Sequence, residues 1–425
     1  APTTSISVAT LTIVRSQSQQ ITDYARGVFE GLLARDGVAY GALVIVSYDR
    51  VDMAETFGQD VGENAMFALG SLSDVFGVVA AMQLTQEGRL RPAEDLAAAF
   101  GESEPRGTTL DDLLAHRVGG DSSLLANAIE RASGVPYGEY VSTRILRPLG
   151  MTRSRFEEGI GIIVSAGDMS QFLSALVGAR MAGGDHLLLP ATLGVMQRRH
   201  FERHAVLPGW SYGFAEVERN GWRALQRDGQ LSENSFPQSQ IVIIPALHTA
   251  YFAAVSSKAG PEFWRALDDT LFDRIAPPRE AAEDVSAAPA PLPQGAEDIS
   301  GDYRPEISVG DGIFLAVNRD TLRIAADGPN LLLSGNIDMV LHPIAGGAWR
   351  SEEHQIPAAF IDGVFWLGPN AYRRIGAWQN PLTHLAIAGL LAALSLLVFA
   401  LWAKYPKLLG RGVIGDRKSA PGLPD

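Results

Sequence analysis

The sequence predicts an α+β protein made of one mixed domain, one small β domain and a single membrane-spanning helix. Three observations predict it. Helical and strand periods mix over residues 1–275, short β segments fill residues 298–376, and residues 385–402 run 18 positions without a charge. With 425 residues, 46% hydrophobic and 20% charged, the chain is too long for one small core.

Taken in chain order, residues 23–35 read as a helix, 42–48 as a strand rich in Val and Ile, and 75–84 as an apolar helix stopped by Gly88. Helices also fit 123–132 and 169–177, and strands fit 211–218, 241–244 and 249–255. Residues 1–275 are therefore expected to form the first domain. At 276–297 the run APPREAAEDVSAAPAPLPQGAE replaces any apolar period with Pro, Ala and acidic residues, which marks a linker. β segments at 313–317, 321–325, 331–334 and 364–367, separated by Gly, Asp and Asn turns, define a small β domain over 298–376. No period of about 20 to 50 residues repeats, so a solenoid or propeller is not supported.

The uncharged run is long enough to span a bilayer, and Leu382 and Thr383 extend it, which places a transmembrane helix at 382–403. The tail 404–425 carries Lys404, Lys407, Arg411, Arg417 and Lys418 against Asp416 and Asp425, whereas the nearest upstream segment offers chiefly Arg373 and Arg374. The tail is therefore expected in the cytoplasm and residues 1 to about 380 outside it, in the periplasm or an equivalent compartment. Such a topology needs an export signal. The chain begins APTTSIS, which implies a signal peptide removed before Ala1. A bacterial inner membrane or an organelle of bacterial ancestry satisfies these rules equally.

Composition narrows the chemistry. Acidic residues outnumber basic ones 48 to 35, for a net charge of −13, which disfavours nucleic-acid binding through phosphate neutralisation. The absence of Cys excludes disulfides, thiolate nucleophiles and Cys-ligated metals. Only four of the 35 basic residues are lysines, and three of these lie at or beyond Lys404. Lysine chemistry upstream rests on Lys258 alone, in a Ser-Ser-Lys-Ala-Gly turn where an exposed surface lysine is expected.

Four ordered stretches carry a recognisable pattern. Phe67-Ala68-Leu69-Gly70-Ser71-Leu72-Ser73-Asp74 leads into Ala80-Ala81-Met82-Gln83-Leu84, and Ile129-Glu130-Arg131-Ala132-Ser133-Gly134-Val135-Pro136-Tyr137 leads to Arg147-Pro148-Leu149-Gly150-Met151. Then come Val164-Ser165-Ala166-Gly167-Asp168-Met169-Ser170-Gln171-Phe172, Tyr212-Gly213-Phe214 and Arg227-Asp228-Gly229. Over residues 20 to 275 the chain resembles the serine β-lactamase and penicillin-binding superfamily, specifically its class C and esterase-like branch. The resemblance implies a β-lactamase/DD-peptidase-like domain. Residues 298–376, opening Gly301-Asp302-Tyr303-Arg304, are similar to the small β domain that often follows it.

The same resemblance identifies degenerate motifs. In Ser-x-x-Lys the lysine lies one helical turn after the nucleophile and activates it; here the positions are Ser71 and Asp74. Aspartate suits a helix N-terminus but is a poor base for a hydroxyl, since carboxylates titrate near 4 in water. The tyrosine of the second motif aligns with Arg117, in His116-Arg117-Val118, with the following loop shortened. Ser122 or Ser123 could substitute, but either is more simply a helix cap; Tyr137 and Tyr140 match structural positions. The Lys-Thr-Gly motif is matched by Arg227-Asp228-Gly229, where Arg227 keeps a cation and Asp228 adds an anion expected to repel a substrate carboxylate.

Other constellations are weaker. His200 and His204 stand at i and i+4, a spacing that can bind zinc, but no third ligand is evident and an exposed polar helix end is expected. No G-x-S-x-G, P-loop or G-x-G-x-x-G motif is present, so no cofactor is expected.

The expected function is that of a membrane-anchored pseudoenzyme, a structural or accessory subunit of a membrane protein complex, with the lipid bilayer and other complex subunits as partners. Two alternatives stay open: a residual serine hydrolase, esterase or amidase, using Ser71, and a non-cleaving peptidoglycan-fragment binder using Arg227.

Overall fold

The computed structural model describes residues 8–48, 50–59, 61–62, 65–97, 107–115, 122–205, 207–230, 238–257, 259–279, 299–305, 321–335, 338–344, 347–351, 356–368, 370–376, 378 and 381–404. Two compact units divide the chain, the first drawn mainly from residues 1–290 and the second mainly from residues 291–425.

In the first unit, helix α1 (Val8–Asp36) precedes a hairpin of β1 (Tyr40–Ser47) and β2 (Arg50–Gly58). After β3 (Met66–Ala68), a 3-10 turn (Gly70–Ser73) runs into helix α2 (Asp74–Gln86). Helices α3 (Leu110–Leu114), α4 (Ser122–Ser133) and α5 (Tyr137–Val141) follow, then β4 (Arg155–Glu157), β5 (Gly161–Ser165), α6 (Ala166–Leu176) and α7 (Pro190–Gln197). The strands β6 (Trp210–Ser211), β7 (Phe214–Arg219), β8 (Trp222–Gly229), β9 (Ser239–Ile244) and β10 (Thr249–Val255) lead to helix α8 (Pro261–Ile275).

Seven strands form one antiparallel sheet in the order β2-β1-β10-β9-β8-β7-β6. Its central strands are covered on both faces, so they read as nearly continuous apolar runs, while successive side chains still point to opposite sides. Ala42, Val44, Val46, Leu225, Ile241 and Ile243 join the core that holds α2 and α6. Leu43, Ile45, Ala224, Val242, Ile244 and Tyr251 join Phe29 of α1 and Phe263, Leu267 and Leu271 of α8. α2 is buried from Val75 to Leu84, as an all-round apolar helix must be, with Phe76 stacked on Phe172 at 3.9 Å between ring centres.

The second unit contributes to an eight-stranded closed barrel, β11 (Gly301–Pro305), β12 (Leu322–Asp327), β13 (Asn330–Gly335), β14 (Met339–Ile344), β15 (Ala348–Ser351), β16 (Pro357–Ile361), β17 (Val364–Leu367) and β18 (Asn370–Ile375). β11 pairs with both β12 and β18, which closes the sheet and leaves it without an edge. Leu322, Ile324, Leu331, Leu333 and Leu341 are buried at alternate positions, and Tyr303, Phe365 and Tyr372 pack with ring centres 6.1 and 6.3 Å apart.

Last comes helix α9 (Pro381–Lys404), 24 residues long. Among the described residues no helix is long and apolar enough to cross a membrane. The segment 382–403, expected to be a transmembrane helix, is helical as part of α9 but is not found as a membrane span among the described residues.

Several expectations change. The strand expected over 211–218 is two strands, because Gly213 takes φ +83° and turns the chain between them. β2, β4 and α8 were not legible as elements: β2 alternates only weakly, and α8 announces itself mainly through Pro261 in its first turn. Residues 198–204 are not helical, so His200 and His204 do not share a helix face. The segment 313–317 and nearly all of the expected linker lie outside the described residues.

Candidate functional site

Gly70 opens the 3-10 turn at φ +55°, a conformation that suits glycine, and delivers Ser71 half-buried ahead of α2. The turn is clamped from one side by β5. Ile162 N–H donates to the buried Ser73 hydroxyl at 2.8 Å, and Leu69 N–H donates to the Ile162 carbonyl at 2.9 Å. A side chain at Gly161, φ +95°, would meet Ser73 Oγ at 2.4 Å. Ser73 thus holds the turn, and Ser71 is left as the hydroxyl facing β8.

From the other side, the end of β8 lies against the turn. A Cβ on Gly229 would stand 2.4 Å from the Leu69 carbonyl oxygen and 2.8 Å from Leu72 Cβ, so only glycine fits that approach. Ser71 N–H donates to the Gln230 carbonyl at 2.9 Å, and Gln230 N–H donates to Ser71 Oγ at 3.1 Å. The Ser71 hydroxyl in turn reaches the Asp228 carbonyl at 3.5 Å. Both main-chain N–H groups flanking the hydroxyl are therefore engaged internally, and the group that receives the hydroxyl is a peptide carbonyl, which is no general base.

Asp74 begins α2, where its charge favours the helix N-terminus. It also holds Arg227, whose Nη2 donates to Asp74 Oδ2 at 3.0 Å. Side-chain exposures of 15% for Arg227 and 24% for Asp74 make this a partly desolvated pair, stronger than a surface ion pair. Arg227 thus differs from the expected substrate-facing cation, since Asp74 neutralises it.

Asp228 also departs from expectation. One step along β8 from Arg227, its carboxylate lies on the opposite face, accepting from Gln226 Nε2 and Gln240 Nε2 at 3.2 Å each. It therefore does not face a ligand beside Ser71. Arg227 and Gly229 share the Ser71 side of the strand, so the structure brings together Ser71, Asp74, Arg227 and Gly229 and separates Asp228 from them.

Two more residues border the site, Gln230, which the sequence did not single out, and Tyr137, which it placed at a structural position. Gln230 acts through its main chain, which no residue type advertises. Tyr137 places its hydroxyl 3.1 Å from where a Cβ on Gly77 would stand, one turn into α2. Burial, with the Asp74 charge adding to it, pushes the Tyr137 phenol well above its ordinary range, so it stays protonated and offers no base. His116, Arg117, Lys258 and the segment 231–237 lie outside the described residues; Ser122 begins α4.

His200 is no exposed helix end. Its side chain is 7% exposed, stacks on Tyr212 with ring centres 3.5 Å apart, and bonds through Nε2 to the Val195 carbonyl at 2.7 Å. Tyr212 donates to Asp111 at 2.6 Å, which ties the strand region to α3. Among the described residues no group of His, Asp and Glu is arranged to hold a metal ion.

The β-lactamase family model matches residues 25–273, more than half of the chain. This chain belongs to the β-lactamase family. No curated protein sequence matches it. Among solved structures, it is similar to SurE with D-Leu, at 18% identity and a TM-score of 0.59, over 84% of this chain and 100% of that one. The octameric penicillin-binding protein homologue from Pyrococcus abyssi matches at 15% identity and TM-score 0.50, over 83% of this chain and 100% of that one. A class C β-lactamase from Rhodobacter sphaeroides matches at 16% identity and TM-score 0.50, over 60% of this chain and 99% of that one. At these identities the likeness is one of fold.

Proposed function

We propose that this β-lactamase-family chain is catalytically inactive and works through its surfaces, as a membrane-anchored structural or accessory subunit of a membrane protein complex. The observation that carries the reading is the engagement of Ser71. Among the described residues its hydroxyl bonds only to main-chain groups, of Asp228 and Gln230, while the carboxylate at the position of the family lysine is bound to Arg227. A nucleophilic serine needs a base in reach and N–H groups aimed at a developing oxyanion, and here the carboxylate is held by Arg227 while the Ser71 and Gln230 N–H groups bond to the Gln230 carbonyl and the Ser71 hydroxyl.

The anchor rests on α9, which carries no formally charged residue before Lys404. Leu390, Leu396, Val398 and Phe399 are 62%, 70%, 58% and 64% exposed, on more than one face, which is costly in water and favourable in lipid. Trp378, 75% exposed, precedes the helix, where aromatic residues sit at bilayer interfaces. The basic tail would then be cytoplasmic and the folded units periplasmic or on the equivalent side. The test is the size of the protein in mild-detergent extracts of its native membrane: co-migration with stable partners is expected, and an isolated monomer would contradict the accessory role.

A residual serine hydrolase is the second reading, favoured by Ser71 keeping its place between Gly70 and α2. The substitution Asp74→Lys separates the two. In an otherwise competent site the new amine, its charge disfavoured by Arg227, would raise ester hydrolysis; in an inactive one it breaks the ion pair and lowers stability only. A peptidoglycan-fragment binder would need the Arg227 charge that Asp74 already holds.

A further inference from the structure

On the sheet face away from Ser71, β8, β9, β10 and α8 enclose a polar cluster inside an apolar layer. Gln240 is 1% exposed, and its Nε2 donates to Asp228 Oδ1 on β8 and to Asp268 Oδ2 on α8, at 3.2 Å each. The amide's two hydrogens therefore bridge two carboxyl groups. Gln226 Nε2 adds a second bond to Asp228, and the Tyr251 hydroxyl donates to Asp268 Oδ1 at 2.7 Å. Every one of these donors is neutral, and among the described residues neither carboxyl pairs with a basic side chain.

We propose that Asp228, Gln240 and Asp268 form a proton-gated clasp between the sheet and helix α8, closed when one carboxyl holds a proton and loosened when both are ionised. Two carboxylates facing one amide nitrogen in a packed layer cannot both be ionised cheaply. The Gln240 Oε1 atom, buried without a hydrogen-bond partner, is an acceptor that a protonated carboxyl could satisfy if the amide turns over.

The surrounding charges do not remove the conflict. Arg219 on β7 favours the anion of Asp268 from a distance, but its guanidinium is bound to Asp269 and Asp273 on α8, at 2.7 and 2.9 Å. Arg227 acts weakly on Asp228 from the other face. Tyr251 stays a neutral donor, its phenol raised by burial and by Asp268. α1 brings Ala25, Phe29, Leu32 and Leu33 to this layer, all apolar. Burial pushes the Asp228 carboxyl up, and burial, with the Asp228 charge adding to it, pushes Asp268 up to about 7.

The clasp touches the candidate site through one strand. Asp228 is linked to α8 through Gln240 and presents its carbonyl to Ser71, and Arg227 beside it holds Asp74. Loosening would reach the turn that carries Ser71, whether or not that serine is reactive.

The test uses the full chain in detergent. The folded state keeps a proton that the unfolded chain releases near 3.8, so this cluster's contribution to stability is fully present below that value, falls as pH rises toward about 7 and is level above it. The melting temperature is expected to drop by roughly 5–10 °C between pH 5 and pH 8. Asp268→Asn should abolish most of that drop and melt higher than the wild type at pH 8. Hydrogen exchange of α8 amides, corrected for intrinsic rates, should rise about tenfold from pH 6 to pH 8 in the wild type. A variant with the wild-type pH slope would overturn the proposal. If Asp268→Asn does not fold, wild-type α8 protection unchanged between pH 6 and pH 8 would overturn it alone.

Discussion

Asp74 and Arg227 define the chemistry of the site more than Ser71 does, because each binds the other in a partly buried setting. Replacing one partner leaves a half-desolvated charge, so Asp74→Ala and Arg227→Ala should each cost about 1–3 kcal/mol in urea denaturation. The double substitution should cost less than their sum, giving a coupling of about 1–2 kcal/mol. Additive losses would show that the pair does not interact in solution. Gly229 makes a sharper case. Its Cβ position collides with the Leu69 carbonyl, so Gly229→Ala should destabilise by at least about 2–3 kcal/mol, read as a fall in urea midpoint at unchanged m-value. At this scale the sequence was half legible. The motif identified Ser71, Asp74, Arg227 and Gly229, but a list of residue types does not state that Asp74 and Arg227 bind each other, nor that strand alternation sends Asp228 to the far face. Gln230 contributes only its peptide group, which carries no signal in sequence.

Elements explain why the site keeps its shape. α2 is buried along most of its length, and the stack of Phe76 on Phe172 joins it to α6. Phe76→Ala should therefore cost about 3–5 kcal/mol, measured by thermal or urea unfolding; a loss below 1 kcal/mol would mean that the core collapses around the gap. Continuous apolar strands such as β1 and β10 were legible because both faces are covered. β2 was not, since only Met53 and Phe57 are buried along it. In the barrel, β14 contains His342 and Pro343, residues that weaken any strand pattern, and only Leu341 is buried along it. α9 carries its own prediction. Deleting residues 381–425 should release the protein from membranes into the soluble fraction after alkaline extraction, and a truncated chain that remains membrane-bound would contradict the anchor.

For the molecule as a whole, a β-lactamase-family fold is retained around a serine whose neighbours are committed to one another. The family fold was legible because four motifs stand in order along one domain; closure of the second β region into a barrel was not, because closure depends on pairing between β11 and β18, whose partners, such as Tyr303 and Arg374, are far apart in sequence. The central claim, that Ser71 is not an activated nucleophile, is tested most directly by covalent labelling. The full chain, shown by melting to be folded in detergent, would be treated with a fluorescent β-lactam and a fluorophosphonate beside Ser71→Ala. Equal, background labelling of both proteins is the predicted result. Labelling of the wild type that disappears in Ser71→Ala would contradict the account and establish a serine hydrolase.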